Sequence, residues 1–153
     1  MSTDLEIRDA TPLDAGALLP LIVEMGVGFH RPSGADAEFV ARYLEQPGHG
    51  ILLALVDGVS VGFLAHAITL DLYAGGPTGE IVDLLVTAGA RGQGIGSALV
   101  TEAARRFESA GCAEVRVVTD ADNHAARRVY GKAGIGGDLI CLHRHFGDDA
   151  SHD

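Results

Sequence analysis

Arg91-Gly92-Gln93-Gly94-Ile95-Gly96 lies between the apolar run 81–86 and a stretch, Ser97 to Phe107, that reads as a helix. Inside a helix each glycine costs roughly 1 kcal/mol relative to alanine, so three of them beside an arginine call for a purpose. A strand that ends in a glycine loop opening a helix is a recurring anion site. The first helical N–H groups have no intrahelical partner, and the helix dipole favours negative charge there. Without Cβ atoms a phosphate can reach those N–H groups, and Arg91 can add a charge-assisted contact. The chemistry implied is the binding of a phosphorylated cofactor; the plainer alternative is a tight turn with close helix–strand packing.

Two common phosphate loops do not fit. A Walker A loop needs a lysine at the helix start, where this chain has Gly96-Ser97-Ala98. A dinucleotide fingerprint reads GxGxxG, whereas the spacing here is Gly92-x-Gly94-x-Gly96. Asp120 stands where a ribose-binding acid would, but too little chain follows it for the rest of a Rossmann sheet. Among the histidines only His143 and His145 lie close together, with no third ligand beside them, so no metal site is expected. Cys112 and Cys141 are far apart and read as reduced, partly buried thiols of a cytoplasmic protein.

The surrounding pattern supplies the elements that must position this loop. Residues 5–11 read as a strand and are followed by a helix opening at Asp14, with Leu18, Leu19, Ile22, Val23 and Met25 at helical spacing. Residues 26–34 read as a loop and 35–45 as a second helix. Two β-rich runs then flank Asp57-Gly58, a dipeptide suited to a type I′ hairpin turn. Residues 71–79 read as a loop and 80–87 as a strand. A helix to about Ala110, a strand over 113–119, a helix begun by Asp122 or Asn123 as cap and carrying Ala126, Val129, Tyr130 and Ala133, and a last strand over 138–146 complete the order. The expectation is a single α/β domain over 1–146, a mixed sheet of six to seven strands with helices on both faces, and an acidic tail over 147–153.

The chain has 153 residues and a formal charge of −10, with Lys132 its only lysine. Such a surface should repel nucleic acid and anionic lipid and favour a cationic substrate. No apolar run is long enough for a membrane span, and the acidic N-terminus lacks the pattern of a secretory signal. A cytoplasmic protein is expected, with partners that include neither nucleic acid nor membrane.

Arg91 to Gly96 resembles the [RQ]-x-x-G-x-[GA] signature of the GCN5-related N-acetyltransferases (GNAT superfamily). Leu84-Leu85-Val86 is similar to that family's L-x-V strand end. Asn123-x-x-Ala126-x-x-Val129-Tyr130-x-Lys132-x-Gly134-Ile135 is similar to its N-x-x-A-x-x-x-Y-x-K-x-G-F segment. The element order matches too, so the resemblance covers nearly the whole chain. Ala88, Ala90 and Ile135 depart from the family's proline, aromatic and phenylalanine, changes of packing rather than of chemistry.

The resemblance implies a GNAT-like acyl-CoA N-acyltransferase fold that moves an acetyl group from acetyl-CoA to a primary amine by direct transfer, without a metal. Strands 80–87 and 113–119 would splay to admit the cofactor. Leu84, Leu85 and Val86 would pair with its pantetheine arm, and an amide of Leu84 or Leu85 would face the oxyanion. Arg91, Gly92, Gln93, Gly94, Ile95, Gly96 and Ser97 would hold the diphosphate. Asn123 would cap its helix and contact the arm, although the cap alone would account for it. Tyr130 would protonate the leaving thiolate, whether or not its ring also packs in the core. Glu80 is the implied base, through water, because four residues of strand separate it from Leu84 by about 13 Å. Asp83 lies nearer, but odd spacing puts it on the opposite face from Glu80. Phe29, His30, Arg31 and Tyr73 would flank the acceptor, a small amine whose cationic form the acidic surface favours. A protein lysine or N-terminal amine, a non-catalytic acyl-CoA sensor and a homodimer remain open alternatives.

Overall fold

The computed structural model describes residues 4–147. Strands β1 (Leu5–Asp9), β2 (His49–Val56), β3 (Val59–Asp71), β4 (Gly76–Val86) and β5 (Val115–Val117) form one sheet in that spatial order. The first three junctions are antiparallel and the β4–β5 junction is parallel. Four α-helices, α1 (Ala15–Gly28), α2 (Ala37–Glu45), α3 (Ile95–Ser109) and α4 (His124–Lys132), cover the two faces.

Strand alternation divides the core. Ile51, Leu53 and Leu55 of β2 face α1 and α2, where Leu18, Leu21 and Val40 meet them. Leu52 and Ala54 face the other way, onto Leu99, Val100, Ala103 and Phe107 of α3 and Tyr130 of α4. Leu18, Leu52, Leu53, Leu64, Ile81, Leu99 and Val100 are fully buried, each worth roughly 1.5–3 kcal/mol of transfer free energy. Local chemistry fixes the joints. Asp57 and Gly58 both have positive φ, 50° and 82°, as a type I′ turn requires. Asp36 caps α2, its Oδ1 accepting the Phe39 N–H at 2.8 Å. Asp14 accepts two bonds from the Arg8 guanidinium and one from the Thr11 N–H, and these hold its carboxyl down at about 2.

Several expected elements differ. The sheet has five strands rather than six or seven, because residues 138–146 form no strand. β5 pairs through three residues only, too short an edge to hold a nine-residue neighbour. Leu139, Ile140, Leu142 and Phe146 are accordingly 79–91% exposed. α1 runs on to Gly28, into what reads as a loop, and β3 and β4 extend through much of residues 71–79 to make a long hairpin. Cys112 is half-buried and Cys141 is exposed, not partly buried; both are free thiols. The expected acidic tail, apart from Gly147, lies outside the described residues.

Candidate active site

α3 opens on the glycine turn. Gly92 and Gly94 sit at φ 79° and 81°, the left-handed region that favours glycine, and a Cβ at either would meet no protein atom within 4 Å. Gly94 is the N-cap and supplies no side-chain cap. The first intrahelical bond runs from Ala98 N–H to the Gly94 carbonyl at 3.0 Å, so the N–H groups of Ile95, Gly96 and Ser97 have no helical acceptor. A positive helix end, an open turn and uncapped donors fit a diphosphate. Arg91 stands beside them, its Nε donating to the Val86 carbonyl at 3.0 Å and its Nη2 meeting Glu24 at 3.5 Å. Glu24, on α1, also accepts the Thr87 hydroxyl at 2.6 Å and the Ala88 N–H at 3.1 Å. It therefore ties the strand-to-loop corner to α1, and nothing in the sequence pattern marks it.

β4 and β5 pair only over Gly79–Ile81 and Val115–Val117. Beyond Ile81 the ladder stops, so residues 82–86 have no strand partner on that edge. On their other side they stay paired to β3, but with a fault. Ala65 pairs with Asp83 and His66 with Ile81, so Val82 is an extra residue, a β-bulge. The bulge inverts the alternation. Ala65 and Ala67 share a face and pair with Asp83 and Glu80 respectively. Glu80 and Asp83 therefore stand on the same face, that of α1 and α2, contrary to the expectation from odd spacing.

On that face, α1, α2 and β4 enclose a cavity of about 700 Å³ lined mainly by apolar side chains, with Asp83 and Tyr43 in its wall. Its rim is the turn after α1. His30 takes a left-handed φ of 57°, and the Arg31 carbonyl lies where a Cβ on Gly26 would sit, 2.5 Å away. Phe29 and Arg31 line the cavity and His30 lines a shallower one beside it. Tyr73, at the tip of the β3–β4 hairpin, lines neither.

The titratable groups link the two spaces. Burial, and then the charges of Asp83 and Glu80, push Tyr43 up to about 12; its hydroxyl donates to the His66 carbonyl at 3.0 Å. Burial, and then the Asp83 charge, raise Tyr130, so its phenol is protonated at neutral pH. Burial raises Asp83 itself, and its carboxylate makes no hydrogen bond or ion pair to any described residue. Asp83 is thus felt by Tyr43 under α2 and by Tyr130 under α4. Glu80 is exposed. Asn123 caps α4 by accepting the Ala126 N–H at 3.1 Å. His143 and His145 stack edge to face at 5.4 Å, and no group of metal-ligating side chains occurs among the described residues. Among the described residues no helix is long and apolar enough to cross a membrane.

Residues 20–135 match the model of the "Acetyltransferase (GNAT) family". The mycothiol acetyltransferase of Streptomyces avermitilis is 39% identical over 86 residues, 56% of this chain but only 27% of that longer protein. The aminoalkylphosphonate N-acetyltransferase of Salmonella typhimurium is 30% identical over 129 residues, covering 84% of this chain and 83% of that protein. Among solved structures, an aminoglycoside acetyltransferase from an uncultured soil metagenomic sample, in complex with trehalose, superposes with a TM-score of 0.80 at 25% identity. That match covers 94% of this chain and 95% of the other.

Proposed function

The chain belongs to the acetyltransferase (GNAT) family, and from that premise we propose that it transfers an acetyl group from acetyl-CoA to a primary amine of a small molecule, directly and within a ternary complex. The observation that carries the reading is the open glycine turn at the start of α3, with its uncapped N–H groups, on the same strand-to-helix unit as a cavity that has Asp83 in its wall. The named relatives act on different acceptors, and a small amine is the class that the aminoalkylphosphonate and aminoglycoside enzymes have in common.

Acetyl-CoA supplies the activated thioester. The N–H groups from Gly92 to Ser97 hold its diphosphate, and Arg91, braced on Val86 and Glu24, adds a positive charge. The outer edge of Leu84, Leu85 and Val86, whose last carbonyl is held by Arg91, pairs with the pantetheine arm as an added strand, and the Asn123 side-chain amide donates to the same arm. An amide of Leu84 or Leu85 donates to the thioester oxygen as negative charge grows on it. An arriving ammonium gives one proton to Asp83 and becomes a nucleophile. Glu80, on the same face and open to solvent, takes that proton onward through water. As the C–N bond forms and the C–S bond breaks, the second amine proton follows the same route. Tyr130 donates to the departing sulfur and is reprotonated from water. The products are the amide, the free thiol and one proton.

The reading is tested by following thiol release from acetyl-CoA across a panel of amines with wild type and Tyr130→Phe. The variant should bind acetyl-CoA with unchanged affinity and release thiol about a hundredfold more slowly. Equal turnover would remove Tyr130 from the mechanism. Tight cofactor binding with no thiol release from any amine would mark the chain as an acyl-CoA sensor instead.

A further inference from the structure

The cavity beneath β4 has a chemistry of its own that narrows the acceptor. Its wall is built from Ile22, Met25, Phe29, Phe39, Phe63 and Val82, with Asp83 among them. Phe29, Phe39 and Val82 are 63%, 47% and 41% exposed, a concentration of open apolar surface on one concave face. The polar groups are few. The Tyr43 hydroxyl is already donated to the His66 carbonyl, and the Arg31 side chain at the rim contacts His145 at 3.5 Å. Asp83 is the one carboxylate in the wall, and among the described residues nothing pairs with it.

We infer that this cavity takes a primary amine carried on a compact apolar body, aliphatic or aromatic, with its ammonium on Asp83 and its hydrocarbon against Met25, Phe29, Phe39 and Phe63. The inference rests on the acetyl-transfer reading above and deepens it. Asp83 is half-buried and has no protein partner among the described residues, and an ammonium supplies its counter-charge where the bond must form. The apolar wall rewards hydrocarbon: each methylene buried is worth about a fourfold gain in affinity. The same wall penalises a polyhydroxylated acceptor, because each hydroxyl left without a partner costs roughly tenfold. A polyamine gains little, since one carboxylate and a rim guanidinium offer no seat for a second ammonium. An aminoalkylphosphonate would place two negative charges where Arg31 is the only cationic wall residue.

The test uses the full chain with CoA present and reads binding and transfer separately. Calorimetry with the primary amines from propylamine to hexylamine should show affinity rising about fourfold per methylene. Asp83→Asn should weaken hexylamine about tenfold or more yet leave hexanol binding unchanged, which also shows the variant cavity intact. Transfer from acetyl-CoA should follow the same chain-length series and favour phenethylamine over an aminoglycoside or aminomethylphosphonate. A flat chain-length series, or preferred transfer to either polar amine, would overturn the inference while leaving the acetyl-transfer reading in place. Graded, Asp83-dependent binding without any transfer would do the reverse. Failure of hexylamine to bind at all would overturn the inference outright.

Discussion

Gly94 and Gly58 make a matched pair that separates backbone strain from ligand binding. Their φ values are 81° and 82°, and at neither would a Cβ meet a protein atom within 4 Å. Holding a residue with a Cβ in the left-handed region costs about 1–2 kcal/mol, somewhat more when it is β-branched. Gly94→Val and Gly58→Val should therefore lose similar stability in urea unfolding. Only Gly94 caps α3, so only there would the new side chain stand in the way of a diphosphate on the N–H groups, as proposed. Losing one such charge-assisted contact costs about 1.5–3 kcal/mol, or roughly ten- to a hundredfold in affinity. Calorimetry with acetyl-CoA should show that loss for Gly94→Val and wild-type affinity for Gly58→Val. If both variants bind acetyl-CoA like wild type, the diphosphate does not sit on this turn and the reasoning from its glycines is wrong.

Two other perturbations address the supporting groups. Glu24→Ala removes the acceptor of the Thr87 hydroxyl, the Ala88 N–H and Arg91; acetyl-CoA affinity should fall about tenfold with the melting temperature little changed, and undiminished affinity would show that the corner holds without Glu24. Asp83→Asn tests the cost of the half-buried carboxylate in the cavity wall. Burial raises the folded pKa of Asp83 above its ordinary 3.8, so the native state binds the extra proton and stability falls as pH rises through that window. Asparagine does not titrate. The variant should melt above wild type at pH 7, with the gap closing below pH 3.8; a lower melting temperature at pH 7 would show that the ionised Asp83 stabilises the fold and refute its desolvation cost.

Local sequence chemistry made part of this site legible. Asp57-Gly58 specified its turn because both φ values must be positive. The glycines from 92 to 96 located the start of α3, and Asn123 is its helix's cap. Long-range geometry was not legible. The bulge at Val82 carries no local signature, yet it turns Asp83 onto the face of Glu80 and into the cavity. Glu24 matters only because α1 packs beside the Thr87 corner, a tertiary fact. The strand-like pattern of residues 138–146 misled for the same reason, since a strand needs an edge and β5 offers three residues.

The central claim is that the peptide nitrogens at the start of α3 grip the diphosphate of CoA. Backbone amide NMR on the nitrogen-15-labelled chain, titrated with CoA and in parallel with pantetheine, which lacks the diphosphate, tests it most directly. Resonances of Gly92 to Ser97 should move strongly with CoA and little with pantetheine, while those of Leu84 to Val86 move with both. Large shifts elsewhere, with residues 92–97 unmoved by CoA, would contradict the account.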